Sequence, residues 1–159
     1  MKNIVTIFLL ACIGTSVLAQ NTTNFAHIGR IDRFEPEVNE LIPKDAKIEV
    51  LCGGFEWSEG PVWMPESGNK YGGFVLFSDI PNNVVMKWQE GVGASVYMKP
   101  AGYTGVADYG REPGSNGLAL DAKGRLVMCE HGDRRISVVT NGGGKITLAD
   151  RWQGKRLNS

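Results

Sequence analysis

Short apolar runs separated by polar turn residues dominate the chain from residue 47 onward. They are rich in Val, Leu, Ile and aromatic residues, which is typical of β-strands. Gly, Asn, Asp or Pro stands between most of them, as tight turns require. The runs occupy residues 48–52, 60–64, 73–78, 84–88, 94–98, 117–121, 125–129, 136–140 and 145–149. Helical periodicity is scarce and predicts one turn at residues 37–42, so we expect an all-β domain over residues 47–159.

The runs fall into two similar sets. Residues 73–79 match residues 124–130 at an offset of 51 residues, and each copy leads through a turn into another run. Each set predicts four strands. Four-stranded sheets that repeat roughly every 40–50 residues are typical of β-propeller blades. A generic antiparallel sandwich has strands of similar spacing, so the pattern alone leaves both architectures open.

The segment 101–115 interrupts this pattern with four glycines, Pro113 and several polar or aromatic residues, among them Tyr103 and Arg111. Connections of this length are uncommon in compact domains and are often functional. We interpret the segment as a loop over a pocket that supplies Tyr103 and Arg111 to a substrate. The alternative is a surface insertion without a role.

Residues 1–19 have the order of an export signal. Lys2 supplies the positive start, residues 4–13 form an apolar run, and small residues before Gln20 suit cleavage. The signal predicts a periplasmic or secreted protein without a membrane span. A buried N-terminal helix and a lipid anchor at Cys12 are the alternatives. Residues 20–46 are polar and predict an extended leader.

Charge and cysteine content exclude several classes of protein. Lys+Arg and Asp+Glu both total 17, so no net field attracts nucleic acid or anionic lipid. Beyond the signal, Cys52 and Cys129 either pair in an oxidising compartment or remain as buried thiols in apolar strands, and we favour thiols. A Cys/His cluster for structural zinc is missing.

Two oxygen-bearing side chains stand at matching places in the two sets. Glu59 precedes a strand that Gly60 and Pro61 introduce, and Asn116 opens the second set in the same way. Their separation is larger than the offset between the two sets, and we interpret it as one repeat plus the long loop. Carboxylate and amide oxygens are the ligands that Ca²⁺ takes. The alternatives are a solvated Glu and a turn Asn beside Gly.

A charged cluster at residues 130–135 follows an apolar strand. A hairpin turn explains Gly132 and Asp133. It explains Glu130 and His131 less well, and these two remain candidates for proton transfer. The sequence lacks a G-x-S-x-G elbow, a P-loop and an H-E-x-x-H motif. It therefore argues against a serine-hydrolase elbow and a zinc protease, and permits calcium-assisted chemistry.

Several of these motifs resemble those of the gluconolactonase/regucalcin family, especially its bacterial gluconolactonase branch. They are Glu-Gly-Pro-Val-Trp at 59–63, Pro-Gly-Ser-Asn-Gly-Leu at 113–118, and the runs 121–126, 129–135 and 154–159. The resemblance covers residues 47–159. It implies an N-terminal part of a six-bladed β-propeller, with about two blades and the start of a third. It also implies a divalent cation, usually Ca²⁺, in the central channel.

The family hydrolyses sugar lactones by polarising the lactone carbonyl at the cation while water attacks. The resemblance implies Glu59 as a metal ligand. The family's next ligand would follow Ser159, so we expect the 159-residue chain to bind metal poorly and to be inactive alone. We expect a monomer acting on a small-molecule sugar lactone. The alternatives are a non-catalytic propeller module and a related aryl-esterase or phosphotriesterase. The candidate site residues are Glu59 for metal, Glu130 and His131 for catalysis, and Asn116, Tyr103 and Arg111 for substrate.

Overall fold

The computed structural model describes residues 25–158, which fold almost entirely into antiparallel strands. The predicted export signal and Cys12 lie outside the described residues. The one described helix is far too short and polar to cross a membrane. The elements are β1 (Ala26–His27), α1 (Val38–Leu41), β2 (Glu49–Val50), β3 (Ser58–Pro65), β4 (Gly73–Asp79), β5 (Val84–Gln89), β6 (Gly93–Met98), β7 (Ser115–Leu120), β8 (Leu126–Glu130), β9 (Arg135–Val139), β10 (Lys145–Ala149), β11 (Arg151–Trp152) and β12 (Lys155–Arg156).

Eight of these strands form two four-stranded meanders. Sheet 1 has the order β3-β4-β5-β6 and sheet 2 has the order β7-β8-β9-β10. The prediction of two four-strand sets is confirmed. The run at 48–52 does not join either sheet. It yields only the two-residue β2, which pairs with β1 of the leader.

The repeat between the two sheets holds residue by residue. Asp79 pairs with Val84 at the end of β4, and Glu130 pairs with Arg135 at the end of β8. The turn that joins each pair of strands has its left-handed residue at the same place, with φ of 55° at Asn83 and 54° at Arg134. Asn tolerates this conformation well, whereas Arg134 adopts it because the two flanking strands impose the same turn.

The separation of Glu59 from Asn116 has a different cause from the one we expected. Trp63 pairs with Val75 across the β3–β4 connection, whereas Leu120 pairs with Leu126 across the β7–β8 connection. The β3–β4 connection is thus the longer of the two, and its extra length accounts for the excess over the repeat offset. Interpreting the separation as one repeat plus the loop 101–115 is therefore wrong, because that loop already lies within the repeat.

The two sheets pack against each other around one apolar core. Phe74 and Leu76 of sheet 1 pack with Leu126 and Met128 of sheet 2. The residue of sheet 2 that corresponds to Leu76 is Val127. It lies on the opposite face of β8 from Leu126 and Met128, because side chains alternate along a strand. Each sheet therefore uses a different face for the same contact, as successive blades of a propeller do, and unlike a sandwich of equivalent faces.

The leader and the last strands lie outside the two sheets. Phe25 contacts Trp88 edge-on at 6.3 Å, and Phe55 contacts Phe77 at 4.9 Å, so both cover the outer face of sheet 1. The predicted helical turn is confirmed as α1. Strands β11 and β12 pair only with each other, so they form a separate hairpin and not a third four-stranded sheet.

The two described cysteines are free thiols, as the sequence favoured, but the prediction that both are buried in strands is wrong, because both are only half-buried. Cys129 lies in β8, whereas Cys52 lies between β2 and β3 and outside both sheets. Burial raises the pKa of the Cys52 thiol. This shift makes its thiolate scarcer at neutral pH.

Candidate functional site

Glu59 and Asn116 occupy equivalent places at the starts of the first strands of the two sheets. The ladder between β3 and β4 slips between Glu59 and Val62, and the ladder between β7 and β8 slips between Ser115 and Leu118. Such bulges free a residue from strand pairing and redirect its side chain. The slip begins after Glu59, which still pairs with Ser78, whereas Asn116 lies within the slip; the two candidate donors therefore stand beside equivalent bulges but differ in their strand pairing.

The backbones of these two bulges touch. A Cβ on Gly60 would lie 2.6 Å from the carbonyl oxygen of Asn116, and φ at Gly60 is +61°, so only glycine suits this position. The Ser78 hydroxyl donates to the same carbonyl at 2.9 Å and lies 2.9 Å from the hydroxyl of Ser115. The structure thus places the backbone of Glu59 beside that of Asn116 at one end of the molecule.

The donors at this end fit a divalent cation in kind but not in number. Glu59 and Asn116 offer hard oxygen atoms, which Ca²⁺ prefers, but Ca²⁺ takes six to eight of them. Within residues 25–158, no three His, Cys, Asp or Glu side chains converge on one point. The described residues therefore do not by themselves form a complete calcium site.

Glu130 is a buried member of an ionic network, with its side chain fully shielded from solvent. One carboxylate oxygen accepts a hydrogen bond from Ser137. The other accepts from Arg135 at 3.0 Å and from Lys145 at 2.9 Å. Both oxygens are engaged, and the carboxylate joins three strands of sheet 2. This environment suits a role in holding the sheet together better than proton exchange with a substrate.

His131 lies in a different environment from its neighbour. Its Nδ1 atom is buried, has no hydrogen-bond partner among the described residues, and lies 3.9 Å from a carboxylate oxygen of Glu112. The ring packs edge-on to Tyr109 at 6.0 Å, and the Tyr109 hydroxyl donates to the His131 carbonyl at 3.2 Å. Glu112 is a residue that the sequence reasoning missed, because only the folded loop brings it to His131.

The loop between β6 and β7 closes on itself and is tied to both sheets. A Cβ on Gly102 would lie 2.1 Å from the carbonyl oxygen of Gly114, so the ends of the loop touch. The side-chain oxygen of Asn83 accepts hydrogen bonds from three successive N–H groups at residues 101–103. Asp133 accepts from both the N–H and the hydroxyl of Thr104. These contacts favour an ordered loop over a loose insertion.

This loop forms one wall of a cleft of about 530 Å³ at the same end as Glu59. The lining residues come from the segment before β3, the β4–β5 turn and the loop, namely Glu56, Trp57, Pro81, Gly110, Arg111 and Glu112. Arg111 thus lines a cleft, and its role in binding a substrate stays a prediction. Tyr103 does not line it and instead packs on Tyr109 at 4.9 Å. A cleft of about 640 Å³ lies at the β3–β4 and β5–β6 connections, at the opposite end of sheet 1.

The chain is similar in sequence to known proteins over most of its length. A gluconolactonase from Zymomonas mobilis subsp. mobilis is 36% identical over 151 residues, which cover 92% of this chain and 40% of that protein. No family model matches the chain.

Two solved structures share the fold. One, described as a candidate gluconolactonase, is 32% identical with a TM-score of 0.61, covering 79% of this chain and 38% of that one. The other, a gluconolactonase from Xanthomonas campestris described as important in glucose secondary metabolic pathways, is 28% identical with a TM-score of 0.60, covering 86% and 39%.

The chain spans about two-fifths of the length of these relatives. Sequence and fold point to the same group of proteins, and the ordered motifs from Glu59 to residue 135 lie within the matched region. The resemblance that those motifs indicated is therefore confirmed, and the chain is a relative of the gluconolactonases.

Proposed function

We propose that this chain supplies part of a hydrolase of sugar lactones, and that the end of the molecule bearing Glu59 and Asn116 faces its reaction centre. The observation that carries the proposal is the backbone contact between the two bulges, which brings the chain next to Glu59 beside Asn116 from the neighbouring sheet. The relatives in sequence and in structure are described as gluconolactonases, which supports a lactone as the substrate class.

Glu59 and Asn116 are the residues that would contribute to holding a divalent cation in this proposal. When bound, such an ion supplies Lewis-acid polarisation of the lactone carbonyl. The remaining oxygen ligands are to come from outside the described residues. We accordingly expect the 159-residue chain alone to bind Ca²⁺ weakly and to be inactive.

His131 is the residue that we propose as acceptor of the proton from the attacking water. Its Nδ1 atom lies 3.9 Å from a carboxylate oxygen of Glu112. Glu130 acts in this scheme by stabilising sheet 2 through Arg135 and Lys145.

The test measures hydrolysis of glucono-1,5-lactone by the protein made from its complete reading frame. The reaction is monitored through the acid that it releases, with and without Ca²⁺. Glu59→Gln removes one charged oxygen while keeping the size of the side chain, and we expect kcat/KM to fall about 100-fold or more. Glu66→Gln is the matched control, since Glu66 lies in the β3–β4 connection at the opposite end of the strand. Equal activity of wild type and Glu59→Gln would refute the role of Glu59.

The same preparation separates the alternatives. Faster hydrolysis of an aryl ester than of the lactone would favour an esterase, and absence of turnover with either substrate would favour a binding module. Calorimetric titration of the 159-residue chain with Ca²⁺ should give little heat. Tight, stoichiometric binding would contradict the view that its own oxygen donors are too few.

A further inference from the structure

The cleft beside β3 contains an aromatic side chain that the fold does not bury. Trp57 is 50% exposed and lines the cleft of about 530 Å³ together with the charged side chains of Glu56, Arg111 and Glu112. A volume of this size lies within the range of small-molecule sites. A large indole that is left open in a concave site is available for contact with a ligand.

The backbone that carries Trp57 is held firmly. The N–H groups of Glu56 and Trp57 both donate to one carboxylate oxygen of Asp79 at 3.2 Å, and Asp79 is almost fully buried. The Trp57 carbonyl accepts from the N–H of Ile80 at 3.1 Å. The indole is thus presented from a rigid support at the start of the same strand that carries Glu59, which reduces the entropy lost on binding.

The facing wall is also anchored. Gly110 donates its N–H to the Asp108 side chain at 2.9 Å, and Tyr109 bonds to the His131 carbonyl. Arg111 and Glu112 follow directly after this anchored turn. Both walls of the cleft therefore exist before a ligand binds, and neither has to form around it.

The charges around Trp57 select the chemistry of the ligand. Two carboxylates accept hydrogen bonds from hydroxyl groups, and the Arg111 guanidinium donates to ring or carbonyl oxygens. The flat apolar face of an indole packs against the C–H face of a sugar ring. Two carboxylates against one guanidinium leave the cleft negative, which opposes a phosphorylated ligand.

We propose that this cleft is a sugar-ring site, in which Trp57 is the stacking platform and Glu56, Arg111 and Glu112 bind the hydroxyl and carbonyl oxygens of a neutral sugar. The inference rests on the proposed function in taking this ring to be that of the lactone substrate. It adds a binding site next to the Glu59 end and names the residues that hold the ring.

The direct test is a titration of the ¹⁵N-labelled 159-residue chain with methyl β-D-glucopyranoside, which does not hydrolyse. The chain has four tryptophans, each giving one indole N–H signal, and Trp57→Phe assigns that of Trp57 by its loss. We expect a saturable shift of the Trp57 signal. A Trp57 signal that stays unmoved at saturating sugar, or that moves no more than the Trp152 signal, would overturn the proposal.

Variants examine the platform and the charges separately. Trp57→Ala should weaken binding of the glucoside about tenfold or more. Because this variant lacks the Trp57 indole signal, its affinity is measured from the shifts of other signals of the protein. Trp152→Ala should leave it unchanged, since Trp152 is 73% exposed in the separate β11–β12 hairpin. Glucose 6-phosphate should bind the wild type at least fivefold more weakly than the glucoside, and Glu56→Gln with Glu112→Gln should narrow that gap. Equal binding of both sugars by the wild type would contradict the electrostatic argument.

Kinetics on the protein from its complete reading frame distinguish this inference from the proposed function. Trp57→Ala should raise KM for the lactone with a smaller change in kcat, whereas Glu59→Gln should act mainly on kcat. Lactone hydrolysis with an unchanged KM in Trp57→Ala would refute the sugar-ring site and leave the function standing. Saturable sugar binding at Trp57 without any lactone hydrolysis would support the sugar-ring site and refute the proposed function.

Discussion

Asp79 in sheet 1 and Glu130 in sheet 2 occupy the same place in the repeat, at the end of the second strand, and both are buried. Asp79 binds the N–H groups of residues 56 and 57 and the side chain of Asn82 at 2.8 Å. Glu130 instead binds cations from β9 and β10. One shared position thus organises the cleft in the first sheet and the outer edge in the second.

The residues available as partners account for the difference. Sheet 1 has Val84 and Ala94 at the positions that Arg135 and Lys145 occupy in sheet 2, so no cation is available to Asp79 there. The repeat preserves the backbone register and the burial of an acid, and the residues on the neighbouring strands decide its partners. A repeated fold can in this way assign separate tasks to equivalent positions.

The largest expected effect comes from Glu130→Ala. The substitution leaves Arg135 and Lys145, which are 22% and 11% exposed, without their shared partner. Breaking a buried ion pair from one side costs about 3–5 kcal/mol, and we expect a loss of that order in the free energy of unfolding, measured by urea denaturation. Glu66→Ala, at an exposed site, serves as the control. A loss below about 1 kcal/mol would place this network among weak surface pairs.

The next effect concerns the loop that joins the two sheets. Gly102→Ala puts a methyl group 2.1 Å from the Gly114 carbonyl, a backbone atom that cannot turn aside, and we expect a cost of about 3 kcal/mol. Gly117→Ala is the matched control, because nothing lies within 4 Å of its added Cβ. Similar unfolding midpoints for the two variants would show that the loop ends separate easily.

Asp79→Ala should have a smaller effect than Glu130→Ala, because no cation is left unpaired. It removes the acceptor of two backbone N–H groups, for which we expect about 2 kcal/mol. Its local effect should be greater, with broadening of the Trp57 indole signal and weaker sugar binding. If Asp79→Ala destabilises the chain more than Glu130→Ala does, the comparison of the two acids is wrong.

The smallest effect lies in the turn between β7 and β8. Hydrogen bonds from the Arg125 backbone, together with the Arg125 guanidinium and the Lys123 backbone, lower the pKa of Asp121. A folded-state pKa below the unfolded value of about 4 means that this stabilisation is present above about pH 4 and is lost as the pH falls through the folded pKa.

Asp121→Asn should therefore lose less stability than the wild type as the pH falls from about 5 to about 2, measured by urea denaturation at each pH. Arg125→Gln, which removes the guanidinium, should act in the same direction. A wild type and an Asp121→Asn variant with parallel pH profiles would count against this account.

The repeat was open to prediction because its signals are local. Apolar runs, turn residues and the match between residues 73–79 and 124–130 define eight strands without knowledge of their packing. The burial of Glu130 was not accessible in this way, since its partners Arg135, Ser137 and Lys145 meet it only when β8, β9 and β10 pair.

The candidate site, too, could be predicted from the sequence only in part. Glu59 and Asn116 were found by their equivalent places, and their proximity follows from a contact between two bulges that only stacking of the sheets produces. The pairing of Glu112 with His131 and the opening of Trp57 into a cleft depend on the path of the loop. Loop conformation follows from tertiary hydrogen bonds such as those of Asn83, which no periodicity encodes.

The cover that Phe25 and Phe55 place on sheet 1 gives the pair of sheets a direction. On sheet 2 the corresponding row of Ala119, Val127, Val138 and Ile146 lies on the face turned away from sheet 1. Ile146 in this row is 53% exposed, whereas the outer face of sheet 1 carries two aromatic rings. A sheet that packed by the same contacts would therefore meet less obstruction from the described residues on sheet 2 than on sheet 1, so the two outer faces are not interchangeable.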